Sequence, residues 1–192
     1  MKSKYIFFSV LLMVALIELG QGYSLTGPKF TPPSYNYYIN PKNLDGVPTT
    51  AVNGALKTAS NKWKNWCAGT FKGTSTITKV TYTDGKNVVF FRNAKSGAAI
   101  ATTYSFFSGK NMLGFDMVWW DAAWKFFPTA ATCSNGFYII DVGTHEFGHV
   151  VGMGHSTVAD ATMFPSTVFC NKAIRTLAPD DVAGISKLYG HP

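Results

Sequence analysis

Acidic and imidazole side chains are scarce in this chain of 192 residues. Ten aspartates and glutamates stand against 17 lysines and arginines, which gives a formal net charge of +7. The lysines are dispersed, and no stretch resembles the basic arm of a nucleic-acid-binding protein. We therefore expect no nucleic-acid partner and interpret the positive charge first as a solubility feature.

The scarce residues are concentrated in one place. Glu146 is the only glutamate after Glu18, and three of the four histidines lie between residues 145 and 155. An exposed helix that happened to carry a few polar residues would not collect them in this way. The segment 145–155 is therefore the first candidate for a functional site.

The chain also lacks a hydrophobic run long enough for a transmembrane helix, which needs about 20 residues. The apolar run at residues 6–17 follows two lysines and is followed by small residues, as in a signal peptide. We predict a signal peptide at residues 1–22 with cleavage before Tyr23; the alternative is a membrane anchor. No cysteine lies near the cleavage position, which argues against a lipid anchor. The protein is expected to be secreted, without a stable membrane anchor.

The rest of the chain, about 170 residues, has the length of a single domain with its own core. No linker or repeat divides it, and we expect a monomer. A lead-in at 23–34 is rich in proline, glycine and threonine. Apolar periodicity and turn residues then predict a mixed α and β order around one sheet. The predicted elements are strands at 35–40, 76–83, 87–91, 98–106 and 114–119, a helix from Pro48 with an apolar stripe from Val52 to Trp66, a helix carrying the histidines, and a last helix from Pro179.

The histidine segment has the spacing of a catalytic zinc site. Residues four apart lie on one face of a helix, so His145 and His149 can point at one metal ion, and Glu146 lies beside it. Gly152 and Gly154 allow the chain to turn, which would bring His155 to the same ion. Three nitrogen ligands leave the fourth tetrahedral position of zinc to water, as in catalytic sites.

These residues form the pattern HExxHxxGxxH, which resembles the zinc signature of the metzincin metallopeptidases. Within that clan the chain is similar to the matrixins. Ser156 follows the third histidine, residues 161–165 resemble the Met-turn of that family, and residues 177–190 resemble its closing helix. The resemblance implies an α+β catalytic domain over residues 35–192. Such a domain has a twisted five-stranded mixed sheet and three helices, with the active-site cleft between an upper and a lower part.

The resemblance also implies roles for single residues. Glu146 would be the general base, and Met163 would form an apolar floor under one zinc ion. Pro165 would restrain the wall of the pocket for the residue after the scissile bond. Ala98, Ala99, Ile100 and Ala101 would belong to the edge strand that binds an extended substrate. Asp180 and Asp181 would tie the last helix to the Met-turn and to the amino terminus of the chain.

The three cysteines suit an exported chain, in which disulfides persist. Cys133 lies shortly before the metal helix and Cys170 shortly after the Met-turn, so a bridge between them would brace both flanks of the site. We favour this pairing, although the sequence leaves a pairing with Cys67 open. No pair has the spacing of a structural zinc knuckle.

The sequence departs from the matrixin pattern in two respects. No cysteine, aspartate, glutamate or histidine occurs between residues 23 and 44, so we expect no latency through a cysteine switch. Only His191 is left for a second, structural zinc ion. Structural calcium has no assigned site, because the spacing of its candidate ligands defines no binding loop. Those candidates are Asp45, Asp84, Asp116, Asp121 and Asp160.

These patterns predict a secreted zinc-dependent endopeptidase that acts on proteins or peptides. The alternative is a secreted binding or adhesion module that keeps the fold without the activity, and Glu146 argues against it because such a module needs no general base. A different peptidase clan would take its third ligand from a downstream acid. Asp160 leaves that reading formally open, but Gly152 and His155 argue against it.

Overall fold

The computed structural model describes residues 22–30, 34–67, 70–75 and 85–190. The predicted signal peptide and the predicted strand at 76–83 lie outside these residues, apart from Gly22. The described helices are α1 (Thr49–Asn61), α2 (Ile139–Val150) and α3 (Pro179–Tyr189), with a short 3-10 helix at Ala173–Arg175. The strands are β1 (Ser34–Asn40), β2 (Thr70–Ser75), β3 (Val88–Arg92), β4 (Ala101–Ser108), β5 (Asn111–Trp120), β6 (Phe126–Phe127) and β7 (Phe137–Tyr138).

The main sheet has five strands in the order β2-β1-β3-β5-β4. The first four of these run parallel to their neighbours, whereas β4 is antiparallel to β5 and forms an edge of the sheet. Strands β6 and β7 form a separate parallel pair. The expected α+β fold, with a five-stranded mixed sheet and three helices, is confirmed. Among the described helices, none has the length and apolar character that a membrane crossing requires.

Alternation of burial explains β1. Tyr35, Tyr37 and Ile39 are buried while Asn36 and Tyr38 are exposed, which is the two-residue period of a strand with one face on the core. In β5 the residues from Gly114 to Trp120 are all buried. A strand covered on both faces shows such a continuous run.

Helix α2 is held between the sheet and α1. The Phe147 ring packs against the rings of Tyr37 and Phe71, with centroids 5.3 and 5.6 Å apart. On the side of α1, the Trp63 indole N–H donates a 2.8 Å hydrogen bond to the Thr144 carbonyl. A Cβ built on Gly148 would lie 2.2 Å from the Met163 sulfur, so only glycine permits this approach. These contacts fix the position of α2 and therefore of the histidines it carries.

The structure differs from the predicted elements in several places; for example, β5 begins at Asn111 rather than at residue 114, and β6 and β7 were not predicted. Helix α1 ends at Asn61, and the last two residues of its predicted stripe, Trp63 and Trp66, pack from the following turn. Strand β2 was not predicted, because Phe71 is its one large apolar residue in a polar, glycine-containing segment. Strand β4 begins at Ala101 rather than at residue 98, because Gly97 has φ +56° and the Ala99 N–H bonds back to the Ser96 carbonyl in a turn.

Candidate metal centre

The three predicted histidines meet at one point. His145 and His149 project from α2 with ring centroids 4.9 Å apart, and the His155 ring lies 5.3 and 4.9 Å from them. The nitrogens that can act as ligands all lie within 4.8 Å of one another. Among the described residues, this is the single group of three or more histidine, cysteine or acidic side chains arranged to hold a metal ion.

The turn that delivers His155 begins at Gly152. This residue has φ +97°, a conformation that glycine adopts without strain. A Cβ at this position would also lie 2.5 Å from the Pro28 carbonyl oxygen. Gly154, the other predicted turn residue, has no positive φ, and its N–H donates to the Ser24 carbonyl. The segment 22–30 therefore lies along this turn, and the Ser24 hydroxyl bonds the His155 carbonyl at 2.6 Å.

Hydrogen bonds orient two of the imidazoles. His145 Nδ1 lies 2.7 Å from the Thr162 carbonyl oxygen, and His149 Nδ1 lies 3.0 Å from that of Met153. A carbonyl oxygen can only accept, so each Nδ1 carries the hydrogen and each Nε2 keeps a lone pair for a metal. The Nε2 atoms of His145 and His149 are therefore free to coordinate a metal cation.

Partial removal from water favours the neutral form of these rings. Desolvation, with a smaller contribution from repulsion by His149, lowers the pKa of His145 to about 3. The same two causes lower the pKa of His155 to about 4. Desolvation also lowers the pKa of His149. Neutral imidazoles are the form that binds zinc, so the donor set fits a zinc ion with three protein ligands.

Glu146 lies beside the histidines and is 5% exposed. Desolvation raises the pKa of its carboxyl group to about 7, while hydrogen bonds from Thr103 oppose this shift. The Thr103 hydroxyl donates to Glu146 Oε2 at 2.7 Å. A carboxyl group with a pKa near neutrality is suited to accept and return a proton at physiological pH.

Met163 lies against α2, and Pro165 lines the cleft. Met163 is fully buried, and its sulfur lies against Gly148 of α2. Its backbone N–H and that of Thr162 donate to the two oxygens of the Asp181 carboxylate, at 3.0 and 2.7 Å. Pro165 is exposed and lines the cleft beside the histidines.

The cleft has a volume of about 660 Å³ and contains all three histidines and Glu146. One wall is β4 with the turn before it, and the other is formed by residues 164–167 and Ile174. Of the four residues predicted for the edge strand, only Ala101 belongs to β4. Ala98, Ala99 and Ile100 lie in the preceding turn and still line the cleft, but the Ala99 carbonyl accepts from the Trp124 indole and the Ile100 carbonyl from the Trp120 N–H.

The far wall is braced by two cross-links. Cys133 and Cys170 form a disulfide, as predicted. Arg175 makes a bidentate ion pair with the buried Asp141 of α2, at 2.8 and 2.7 Å, and stacks on the Tyr138 ring. Sequence reasoning missed this pair, although an acid four residues before His145 on the same helix was a signal for a buried partner.

The candidate calcium ligands act as backbone anchors wherever their hydrogen bonds are described. Asp121 accepts from the Leu44 N–H, Asp45 from the Phe126 N–H at 2.7 Å and Asp116 from the Val88 N–H at 3.1 Å. Asp84 lies outside the described residues. These contacts join distant backbone segments and assign no calcium site.

Comparison with known proteins gives a consistent match. The family model described as matrixin matches residues 29–190. Matrix metalloproteinase-2 of Drosophila melanogaster is 27% identical over 179 residues, which are 88% of this chain and 22% of that protein. Matrix metalloproteinase-20 of Homo sapiens is 46% identical over 57 residues, 30% of this chain and 12% of that protein. Metalloendoproteinase 5-MMP of Arabidopsis thaliana is 49% identical over 49 residues, 26% of this chain and 13% of that protein. The chain thus spans between 12% and 22% of the length of these relatives.

Proposed function

The chain belongs to the matrixin family, and from this premise we propose that it is a secreted zinc endopeptidase that hydrolyses peptide bonds within proteins. The observation that carries the proposal is the convergence of three neutral imidazoles and one buried carboxyl group in a single cleft. The disulfide agrees with secretion, because such bonds persist in oxidising compartments.

His145, His149 and His155 would hold the ion. The chemistry that a zinc ion would supply here is polarisation of a carbonyl oxygen and a lower pKa, about 7, for a bound water. Glu146 takes a proton from the attacking water and returns it to the nitrogen of the leaving peptide.

The substrate would lie extended along β4, which is an edge strand of the sheet. Backbone hydrogen bonds to such an edge strand supply affinity that does not depend on the side chains of the substrate. Preference for particular substrate residues comes from the side-chain pockets. Apolar side chains contribute to the lining of the cleft, among them Trp124, Phe137, Val142 and Ile174. We therefore expect the residue after the scissile bond to be apolar.

The test is cleavage of a peptide library by the full chain, with and without a zinc chelator. Wild type should cut, chelation should abolish cleavage and added zinc should restore it. Glu146→Ala should lose at least about 100-fold in kcat, since general base catalysis typically contributes ~10²–10⁴. Asp160→Asn, a change at an exposed acid, is the matched control and should cut like wild type. Equal cleavage by Glu146→Ala would refute the role of Glu146 as general base, and no cleavage by wild type would leave the binding-module alternative.

A further inference from the structure

Thr103 of the edge strand β4 contacts α2 through the carboxylate of Glu146. Its hydroxyl lies 2.7 Å from Glu146 Oε2 and 3.3 Å from the Glu146 backbone oxygen. Its backbone N–H also hydrogen-bonds to the carboxylate. Because Glu146 is almost completely buried, protein donors rather than bulk water determine the orientation of its carboxylate.

The register of β4 explains why Thr103 can do this. The Trp120 N–H donates to the Ile100 carbonyl, so Ile100 directs its backbone towards β5. In an antiparallel pair the backbone groups alternate between the partner strand and the outer edge. Thr102 therefore faces β5 and Thr103 presents its backbone N–H at the outer edge, in the cleft. The strand proposed to hold the substrate thus also holds the proposed general base.

We propose that Thr103 is a positioning residue for hydrolysis, which fixes the Glu146 carboxylate through its hydroxyl and N–H in the orientation that receives the proton of the attacking water. This inference rests on the proposed function. A carboxylate held in one orientation raises the rate, because it must be within hydrogen-bond distance of the water when the proton is transferred. Without the hydroxyl, one of the bonds that hold the carboxylate is lost, and the group samples unproductive orientations.

The first experiment compares Thr103→Val, which removes the hydroxyl at nearly constant shape, with Thr103→Ser, which keeps it. The valine variant should lose about tenfold in kcat, a part of the ~10²–10⁴ that a general base supplies, with KM within twofold of wild type. The serine variant should stay within about threefold of wild type in both constants. Zinc affinity, measured by competition with a chromogenic chelator, should be unchanged in both, because Thr103 contacts Glu146 and none of the histidines through its described hydrogen bonds.

The second experiment detects the hydrogen bond between Thr103 and Glu146 and needs no activity measurement. Glu18 and Glu146 are the only glutamates, so selective ¹³C labelling of glutamate carboxyl groups gives at most two NMR signals, and Glu146→Gln identifies one of them. In the metal-free full chain, Thr103→Val should shift the Glu146 signal and Thr103→Ser should leave it near its wild-type position. Thr102→Val is the control, since the Thr102 hydroxyl accepts from the Trp120 indole and does not touch Glu146.

The outcomes separate the two proposals. An inactive wild type would refute the peptidase function, while the NMR comparison would still report on the contact. An unmoved Glu146 signal in Thr103→Val, or a kcat within twofold of wild type, would overturn the positioning role. A rise confined to KM would overturn it as well, because it would mean that Thr103 binds substrate instead. If the valine variant fails to fold, Thr103→Ala undergoes the same measurements.

Discussion

Replacing Glu146 by glutamine should make the metal-free protein more stable at alkaline pH. In the folded chain the carboxyl group has a pKa of about 7, against an ordinary value of 4.5, because burial removes it from water. The folded state therefore binds a proton that the unfolded state has already released between these two values, and stability falls as the pH rises through this range. At about 1.4 kcal/mol for each tenfold change in proton affinity, ionised Glu146 costs the fold about 3 kcal/mol at pH 8.

Glutamine has nearly the same shape, and its amide oxygen can still accept from the Thr103 hydroxyl, but it never ionises. Glu146→Gln should therefore gain about 3 kcal/mol at pH 8, or roughly 6–12 °C in Tm for a domain of this size, and gain almost nothing at pH 4. The assay is urea and thermal unfolding in the presence of a chelator, because a bound cation would itself stabilise the carboxylate. Asp160→Asn, the exposed control, should change stability by less than about 0.5 kcal/mol at either pH. A glutamine variant with no gain at pH 8, or with the same gain at pH 4, would refute the reasoning.

Further predictions concern the metal ligands and the braces of the cleft. Wild type should retain one zinc ion per chain after dialysis, and His149→Ala should retain none, as measured by elemental analysis. In Glu146→Gln, which lacks the opposing carboxyl titration, the metal-free fold should weaken as the pH falls below 6.5, because the unfolded chain binds protons that His145 does not accept in the folded state; at pH 5 the His145 contribution amounts to about 2 kcal/mol in urea unfolding. Cys133→Ser with Cys170→Ser should lower the free energy of unfolding by about 2–4 kcal/mol, and a loss no larger than that of Cys67→Ser would contradict this. Asp181→Asn should cost about 2–3 kcal/mol, because an amide group would oppose the backbone donors of Thr162 and Met163; denaturation indistinguishable from wild type would show that those bonds are dispensable.

Local pattern was sufficient for the predicted metal site and for most of the helices. The four-residue step from His145 to His149 is a property of any helix, and Gly152 is the residue that lets the chain leave that helix towards His155. Both signals lie within eleven consecutive residues of sequence. No long-range information was needed to expect three imidazoles near one another.

The remaining contacts depend on packing between distant segments. Thr103 is 43 residues from Glu146 in sequence, and nothing in an alternating strand marks which threonine will meet an acid. Strand β2 carries a weak apolar pattern and is held by its parallel neighbour β1, where Gly73 lies against the Tyr37 ring. Such segments form strands because a neighbouring strand pairs with them, so they are difficult to predict from their own sequence.

Because β4 is an edge strand of the sheet, we expect a consequence for concentrated solutions of the protein. The backbone groups on the outer side of an edge strand can pair with any extended polypeptide, including a partly unfolded segment of another copy. Exposed edge strands therefore promote self-association. A chain with such an edge strand is exposed to self-association and, under the proposed peptidase function, also to cleavage by other copies of itself. A short peptide-like inhibitor bound along β4 should suppress both losses together, and would be a useful additive during purification and crystallisation.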